Sequence, residues 1–423
     1  MDDALPRRPS ALRAFSYKGY GWFWVAGFCG FGSVQMQALA RGYLARQLTP
    51  SPLLVTATFA AQALPLVVAP LIGGSLGDRI DRKRILVVAE SAHLLLILAF
   101  SLLLVAGAVN IGVLLAFAIA SGFTWSFGLP VRQAMIQDLV PQSALANAVI
   151  LFTGVFNAML VLAPGLSGFI IKWASVEAAF FTALGLTAAS LLLLIGVPGG
   201  MSIRSKKREP PLKMLLEGAK FIKSSANLTI VIVGLAAYTA LAQAYYAILP
   251  VFQKDVLHVD AGGLGLMSTM VGVGSVSASL ILVAATPRGP KPALMVVMGL
   301  LQGIALVGFA LSSNFTLSLG LLVLVGMFQS GFLTLNTAMV QELTPREMGG
   351  RVMALRTVPW GLQPAGQVSL GSIAGATSPR TGLVIVATSS IALQAVVLLW
   401  VRSMREAVRR EVEAGVGEGR TRP

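Results

Sequence analysis

Charge is scarce in this sequence, and that scarcity excludes most soluble folds. Only 12% of the 423 residues are Asp, Glu, Lys or Arg, while 56% are hydrophobic. Soluble domains carry about a quarter charged residues. A soluble core cannot hide so much apolar surface, so the bilayer must act as solvent. Cysteine is nearly absent. Cys29 stands alone, which rules out an intrachain disulfide and any multi-cysteine metal site. Histidine is equally rare, with only His93 and His258. Neither a zinc-protease HExxH nor a phosphate-binding Walker loop nor a glycine-rich dinucleotide fingerprint occurs. No nucleophile–base set is visible, so the chain does not read as an enzyme, and no cofactor or metal is implied. A secretory signal is not evident either, because the apolar stretch after Arg7, Arg8, Arg13 and Lys18 runs far beyond a short signal core.

What the chain has is long apolar runs. Twelve are bounded by charge clusters or Gly/Pro/polar breaks, near 20–46, 52–77, 85–107, 111–131, 144–171, 175–197, 226–251, 261–286, 292–312, 315–341, 350–375 and 381–402. Each approaches or exceeds the roughly 20 residues a span needs. The expected fold is therefore an all-α membrane protein of twelve transmembrane helices. The net charge of +15 would suggest nucleic acid in a soluble protein, but here topology explains it. With the N-terminus in the cytoplasm, 27 of the 32 Lys and Arg fall on the cytoplasmic side. The remainder are Arg41, Arg46, Lys172, Lys254 and Arg380. That asymmetry supports an even number of spans with both termini inside, and it leaves no motive for nucleic-acid binding.

The polar stretch 199–225 splits the chain. The expected organisation is a cytoplasmic N-tail (1–19), a six-helix half (20–198), a central cytoplasmic loop (199–225), a second six-helix half (226–402) and a C-tail (403–423). Residues 212–224 space apolar side chains as an amphipathic interfacial helix would, although a solvated linker fits too. The halves are related in sequence. Residues 132–151 and 336–355 align at a constant offset of 204 with six identities in twenty, among them Met135/Met339, Gln137/Gln341 and Pro141/Pro345. Parallel six-span repeats that rock about a central site are a transporter architecture.

The stretch Gly73-Gly74-Ser75-Leu76-Gly77-Asp78-Arg79-Ile80-Asp81-Arg82-Lys83-Arg84 follows the second span. It resembles the loop 2–3 signature of the major facilitator superfamily, with Asp81 where the pattern has glycine. Pro130, Arg132, Ala134, Asp138, Leu139 and Pro141, then Leu145, Asn147, Ala148, Pro164 and Gly168, narrow the likeness to the enterobactin-exporter-like branch, over essentially the whole chain. The resemblance implies the major facilitator fold in a bacterial inner membrane, usually monomeric, exporting small amphipathic drug- or siderophore-like molecules against protons. It also implies a charge latch of Asp78, Arg82 and Asp138 that holds one access state, with Arg132, Gly74 and Glu342 around it. A topology-anchoring salt bridge is the plainer reading of those charges. Ala163-Pro164 and Gly168, with Gly154 upstream, resemble a degenerate antiporter signature in span five; an ordinary packing kink fits equally.

Proton coupling needs a titratable group within the membrane. With Glu177 placed near the opposite surface, Glu90 is the one acid left within an apolar run, and His93 follows three residues later on the same helix face. The alternative is an interfacial Glu90 that pairs with the basic loop. Relatives often carry an acid in span one; here Gly32–Gln37 has none, so coupling falls to Glu90 or to another route, and a passive carrier stays open. Spans one, four, seven and ten line the cavity in this superfamily. They offer Gln35, Gln37, Trp125, Tyr238, Gln243, Tyr245, Tyr246, Gln329 and Asn336, a set suited to an amphipathic solute with a few hydrogen-bonding groups. No central Arg or Lys pair is apparent, which disfavours simple organic anions. An importer or uniporter, or a non-transporting membrane sensor on the same fold, remains the alternative.

Overall fold

The computed structural model describes residues 10–76, 81–199, 211–285, 292–345 and 348–419. All regular structure among them is helical. A 3-10 turn, Ser10–Ser16, leads into α1 (Tyr20–Leu48), α2 (Pro52–Leu76), α3 (Arg82–Val105), α4 (Ile111–Leu139), α5 (Gln142–Trp173) and α6 (Val176–Ile195). These pack into a first bundle, with α1 against α5 and α6, and α4 against α2 and α3. The amphipathic stretch is helical, α7 (Pro211–Ser224). It packs on the second bundle through Glu217, whose carboxylate lies 2.5 Å from the Arg351 guanidinium. The second bundle contains α8 (Ala226–Leu241), α9 (Leu249–Asp255), α10 (Ala261–Ala285), α11 (Pro292–Leu311), α12 (Phe315–Leu343), α13 (Gly349–Leu355), α14 (Gln363–Ala376) and α15 (Pro379–Gly419).

The helix boundaries follow local chemistry. Short polar side chains cap the helix starts: Asn110 Oδ1 accepts from the Val113 N–H at 3.0 Å, and Asn314 Oδ1 from the Leu317 N–H at 3.1 Å. Gly107, at φ +67°, follows the end of α3 in the left-handed conformation that glycine adopts without a Cβ penalty. These residues make the two shortest breaks suggested by the sequence real turns.

Nine stretches of described residues are long and apolar enough to cross a membrane. Side chains such as Leu95, Leu102, Ile150, Leu192, Leu280 and Leu399 are exposed, as a lipid-facing surface requires. Two runs that read as single spans are interrupted. The run 226–255 breaks after Leu241 into a 3-10 turn, Ala244–Ile248, before α9. The run 349–376 breaks into a 3-10 turn, Val358–Leu362, between α13 and α14. Pro250, Pro359 and Pro364 each sit at the first positions of a new segment, where a missing N–H and a fixed φ are tolerated. Thr239 Oγ1 donates to the Pro359 carbonyl at 2.8 Å and ties the two interruptions together.

The bundles meet at the end of the molecule opposite the N-terminal 3-10 turn, here called the far end. Arg46 of α1 clasps Asp255 through two bonds, Nη2–Oδ1 at 2.6 Å and Nε–Oδ2 at 3.2 Å. Lys172 Nζ lies 2.9 Å from Asp260 Oδ2. α5 crosses α10 so closely that a Cβ on Gly168 would sit 2.7 Å from the Gly265 Cα. Small residues at such a crossing let two backbones approach, the usual basis of tight helix packing in lipid. Among the described residues, the two ion pairs joining the bundles both lie at this end.

Candidate functional site

A thread of buried polar side chains runs through the first bundle. Ser33 and Gln37 lie four residues apart on α1 and so share a face. Ser33 Oγ donates to the Ala183 carbonyl at 2.7 Å and lies 2.7 Å from Thr187 Oγ1 on α6. Gln37 Nε2 donates to Ser33 Oγ at 2.9 Å and is 3.3 Å from His93 Nε2 on α3. The other ring nitrogen of His93 lies 2.8 Å from Thr124 Oγ1 on α4. One helical turn towards the termini, Glu90 forms an ion pair with Arg132 of α4, both side chains buried. A small cavity joins the two levels, lined by Gly30, Glu90, His93, Thr124, Trp125 and Arg132. α1 lies directly on the pair: a Cβ on Gly30 would sit 3.2 Å from Arg132 Nη2 and 3.4 Å from Glu90 Oε1.

This geometry corrects three expectations. Arg132 is not in a loop or in the charge latch. α4 continues to Leu139, which carries Arg132 into the bundle, where Glu90 neutralises it. Glu90 does not reach back to the basic loop; it pairs with Arg132 rather than with His93. His93 instead bonds towards Gln37 and Thr124, although it shares the cavity with Glu90.

The latch residues are partly brought together. Arg82 Nη1 donates to Asp138 Oδ2 at 2.7 Å and to the Ala134 carbonyl at 3.3 Å, joining α3 to α4 within one bundle. Asp78 lies outside the described residues, and Gly74 is described only as part of the α2 backbone. Glu342 is exposed at the end of α12, with no described ion pair.

The cavity set divides. Tyr238 is fully buried, stacked on Phe332 with centroids 3.9 Å apart and hydrogen-bonded to Gln302, which makes it part of the second bundle's core. Asn336 is also internal; it donates to the Val231 carbonyl at 3.0 Å and accepts from Arg356 Nε at 3.0 Å. Gln37 is committed to the thread. Tyr245 Oη donates to Gln329 Oε1 of α12 at 2.8 Å, and Tyr246 meets Phe59 of α2 edge-on at 6.4 Å between centroids. Trp125 packs edge-on against Phe31, Gln35 is half-buried, and Gln243 is buried in the break that precedes Ala244–Ile248. Tyr246, Gln329, Gln35 and Trp125 are thus the members that keep partial exposure.

Two arginines escaped the sequence reading. Arg41, counted there with the far loops, is fully buried in α1. Its Nη2 donates to Gln62 Oε1 of α2 at 2.5 Å, and its guanidinium carbon lies 5.4 Å from the Phe59 ring centroid. Arg356, counted as a loop cation, reaches Asn336, Thr337 and the Leu333 carbonyl of α12. The spacing Ser33, Gln37, Arg41 is a polar i, i+4 stripe on one helix, and it was the signal that could have found Arg41.

The chain matches the model of the transmembrane secretion effectors over residues 9–414. It belongs to that family. Among curated relatives it is 25% identical to the multidrug efflux pump Tap of Mycolicibacterium fortuitum, over 75% of this chain and 79% of that protein. It is 24% identical to the enterobactin exporter EntS of Shigella boydii, over 79% of each. Its fold superposes on a bacterial homologue of the human lysosomal transporter Spinster, in an inward-facing, unoccupied conformation. The TM-score is 0.73 at 13% identity, covering 95% of this chain and 99% of that one. The chain is therefore a multi-pass membrane transporter of the major facilitator type, with efflux pumps among its relatives.

Proposed function

We propose that this member of the family is a proton-coupled exporter of small amphipathic molecules that works by alternating access, as a monomer with both termini in the cytoplasm. In this reading α1, α2 and the α13–α14 pair complete a set of twelve spans. The apolar character of α1 is diluted by Gln35, Gln37 and its glycines, and α13–α14 is broken by a 3-10 turn.

The observation that carries the reading is the Glu90–Arg132 pair beneath Gly30. A carboxylate enclosed at membrane depth is rare and marks a functional site by default. When Glu90 takes up a proton the attraction to Arg132 is lost, and α1, which touches both groups, gains a reason to shift. α1 also carries Arg46, half of the far-end clasp, so proton uptake at Glu90 and opening of the far end act on one rigid element. The Arg82–Asp138 bridge, with Asp78 and Gly74 beside it in sequence, would hold the terminal end of the first bundle in register. Export as the direction rests on the named efflux relatives.

The test is uptake of amphipathic dyes and antibiotics into inside-out vesicles, with and without an imposed pH gradient. Gradient-driven uptake that is abolished in Glu90→Gln is the expected result. Uptake indifferent to the gradient in the unaltered protein would overturn proton coupling.

A further inference from the structure

The buried arginines of this protein are not treated alike. Arg132 has a carboxylate against Nη2, which neutralises it even though its Nη1 has no hydrogen-bond partner. Arg356 has three oxygen acceptors on α12. Arg41 has the amide oxygen of Gln62, while its Nε and Nη1 have no partner although the side chain is fully buried. A guanidinium presents five N–H donors and cannot shed its charge by ordinary deprotonation. Leaving it in a low-dielectric interior with one neutral acceptor costs several kcal/mol. Such a charge persists where some state of the protein supplies the missing anion.

The position of Arg41 says what kind of anion. Phe59, under the guanidinium, touches Tyr246 of the second bundle, so the arginine lies one ring away from the join between bundles. Next to it, a Cβ on Gly42 would meet Phe59 Cζ at 2.7 Å and Pro250 Cγ at 2.8 Å. α2 runs away from the far end, so Gln62 lies one turn deeper than Phe59 and draws the guanidinium inward from the clasp. Gln62 itself is only half-buried. The surroundings are aromatic and apolar, with one cation.

We infer that Arg41 is the anion-recognising residue of the transport site, and that the substrates include amphipathic organic anions with a single acidic group on an aromatic or aliphatic body. The acid would take the open Nε and Nη1, and Phe59 and Tyr246 would flank the body. This rests on the transporter reading above and reverses the expectation that simple organic anions are disfavoured.

The experiment uses the full chain in phosphatidylcholine nanodiscs and two fluorescent probes, 1-pyrenebutyrate and its neutral amide. The unaltered protein should bind the acid about tenfold more tightly than the amide, the scale of one hydrogen-bonded charge. Arg41→Gln should bring the two probes within about twofold, and Arg41→Lys should keep part of the preference. Gln62→Glu supplies an internal carboxylate. It should raise the melting temperature and abolish the preference, whereas an arginine that is only structural would show the first effect without the second. Equal binding of both probes overturns the inference, as does failure of both up to about 1 mM, the weak end of ligand affinity. So does a preference that survives in Arg41→Gln. If phosphatidylglycerol discs remove the preference, the anion is a lipid headgroup and the substrate assignment falls. The vesicle assay stays separable: gradient-driven export of neutral dyes without anion preference removes this inference alone. Arg41-dependent anion binding without gradient-driven uptake removes the exporter reading instead.

Discussion

The two bundles descend from one pattern, yet they handle charge and backbone in opposite ways. At the offset of 204 residues that aligns them, Arg132 of α4 corresponds to Asn336 of α12. In the first bundle the arginine is on α4 and a carboxylate from α3 neutralises it. In the second bundle the amide is on α12, and an arginine arrives from the α13 side to be held by neutral oxygens. Backbone follows the same division. α1 and α5 are unbroken over 29 and 32 residues, and Pro164 does not interrupt α5. Their counterparts in the second bundle are each split by a 3-10 turn. One bundle holds an ionisable pair in a rigid frame; the other holds a fixed positive charge in a frame with two weak points. Irregular backbone at membrane depth is tolerated where protein or a cavity surrounds it. Two copies of one architecture can therefore specialise, one for titration and one for bending.

Removing one member of the ion pair should give the largest contrast. Glu90→Gln leaves Arg132 buried and unpaired, and thermal unfolding in detergent should show a loss of about 3–5 kcal/mol. Glu90→Gln combined with Arg132→Gln should recover most of it. A single variant as stable as the parent would remove the distinction between the bundles. The matching change in the second bundle, Asn336→Leu, deprives Arg356 of one of its three partners and should cost less, about 1–3 kcal/mol. The smallest effect concerns the join between bundles. The Lys172 ammonium, and then the Gly263 N–H, hold the Asp260 carboxyl below its ordinary range. Its contribution is therefore present above the usual carboxylate value and fades as pH falls through the lowered one. Both partners are about half exposed, so Asp260→Asn should cost no more than the 0.2–1 kcal/mol typical of such pairs and should flatten that acid response, read by cross-linking across the far end.

Hydropathy made the helices and most of their ends legible, because a bilayer demands long apolar runs wherever the chain crosses it. The runs 111–131 and 315–341 start where Asn110 and Asn314 cap α4 and α12. The breaks at 241–249 and 355–363 were not legible. Neither break carries a run of turn residues, the first being largely apolar and the second holding Arg356 within an otherwise mixed stretch, and what bends them is proline placement plus packing, seen in the Thr239–Pro359 bond. The site was legible as a list of polar residues but not as an arrangement. Glu90 and Gln37 were found because polar groups stand out in apolar runs. Counting charges by loop sent Arg41, Arg132 and Arg356 to the surface, since a span's last turns look the same in sequence whether or not a neighbouring helix covers them. Only the partner helix decides that, as Gln62, Glu90 and Asn336 do here.

The far-end clasp has a consequence for how the protein is made. Arg46 and Asp255 are 209 residues apart in the chain. At ordinary synthesis rates of 5–20 residues per second, about 10–40 s pass between the appearance of one and of the other. During that interval the first bundle stands in the membrane with the face later covered by α9, α10 and α14 still bare. A bundle that must wait alone has to be complete in itself, which its internal ion pair and unbroken helices allow. The second bundle is born against a finished template, and its broken helices need never stand unaided.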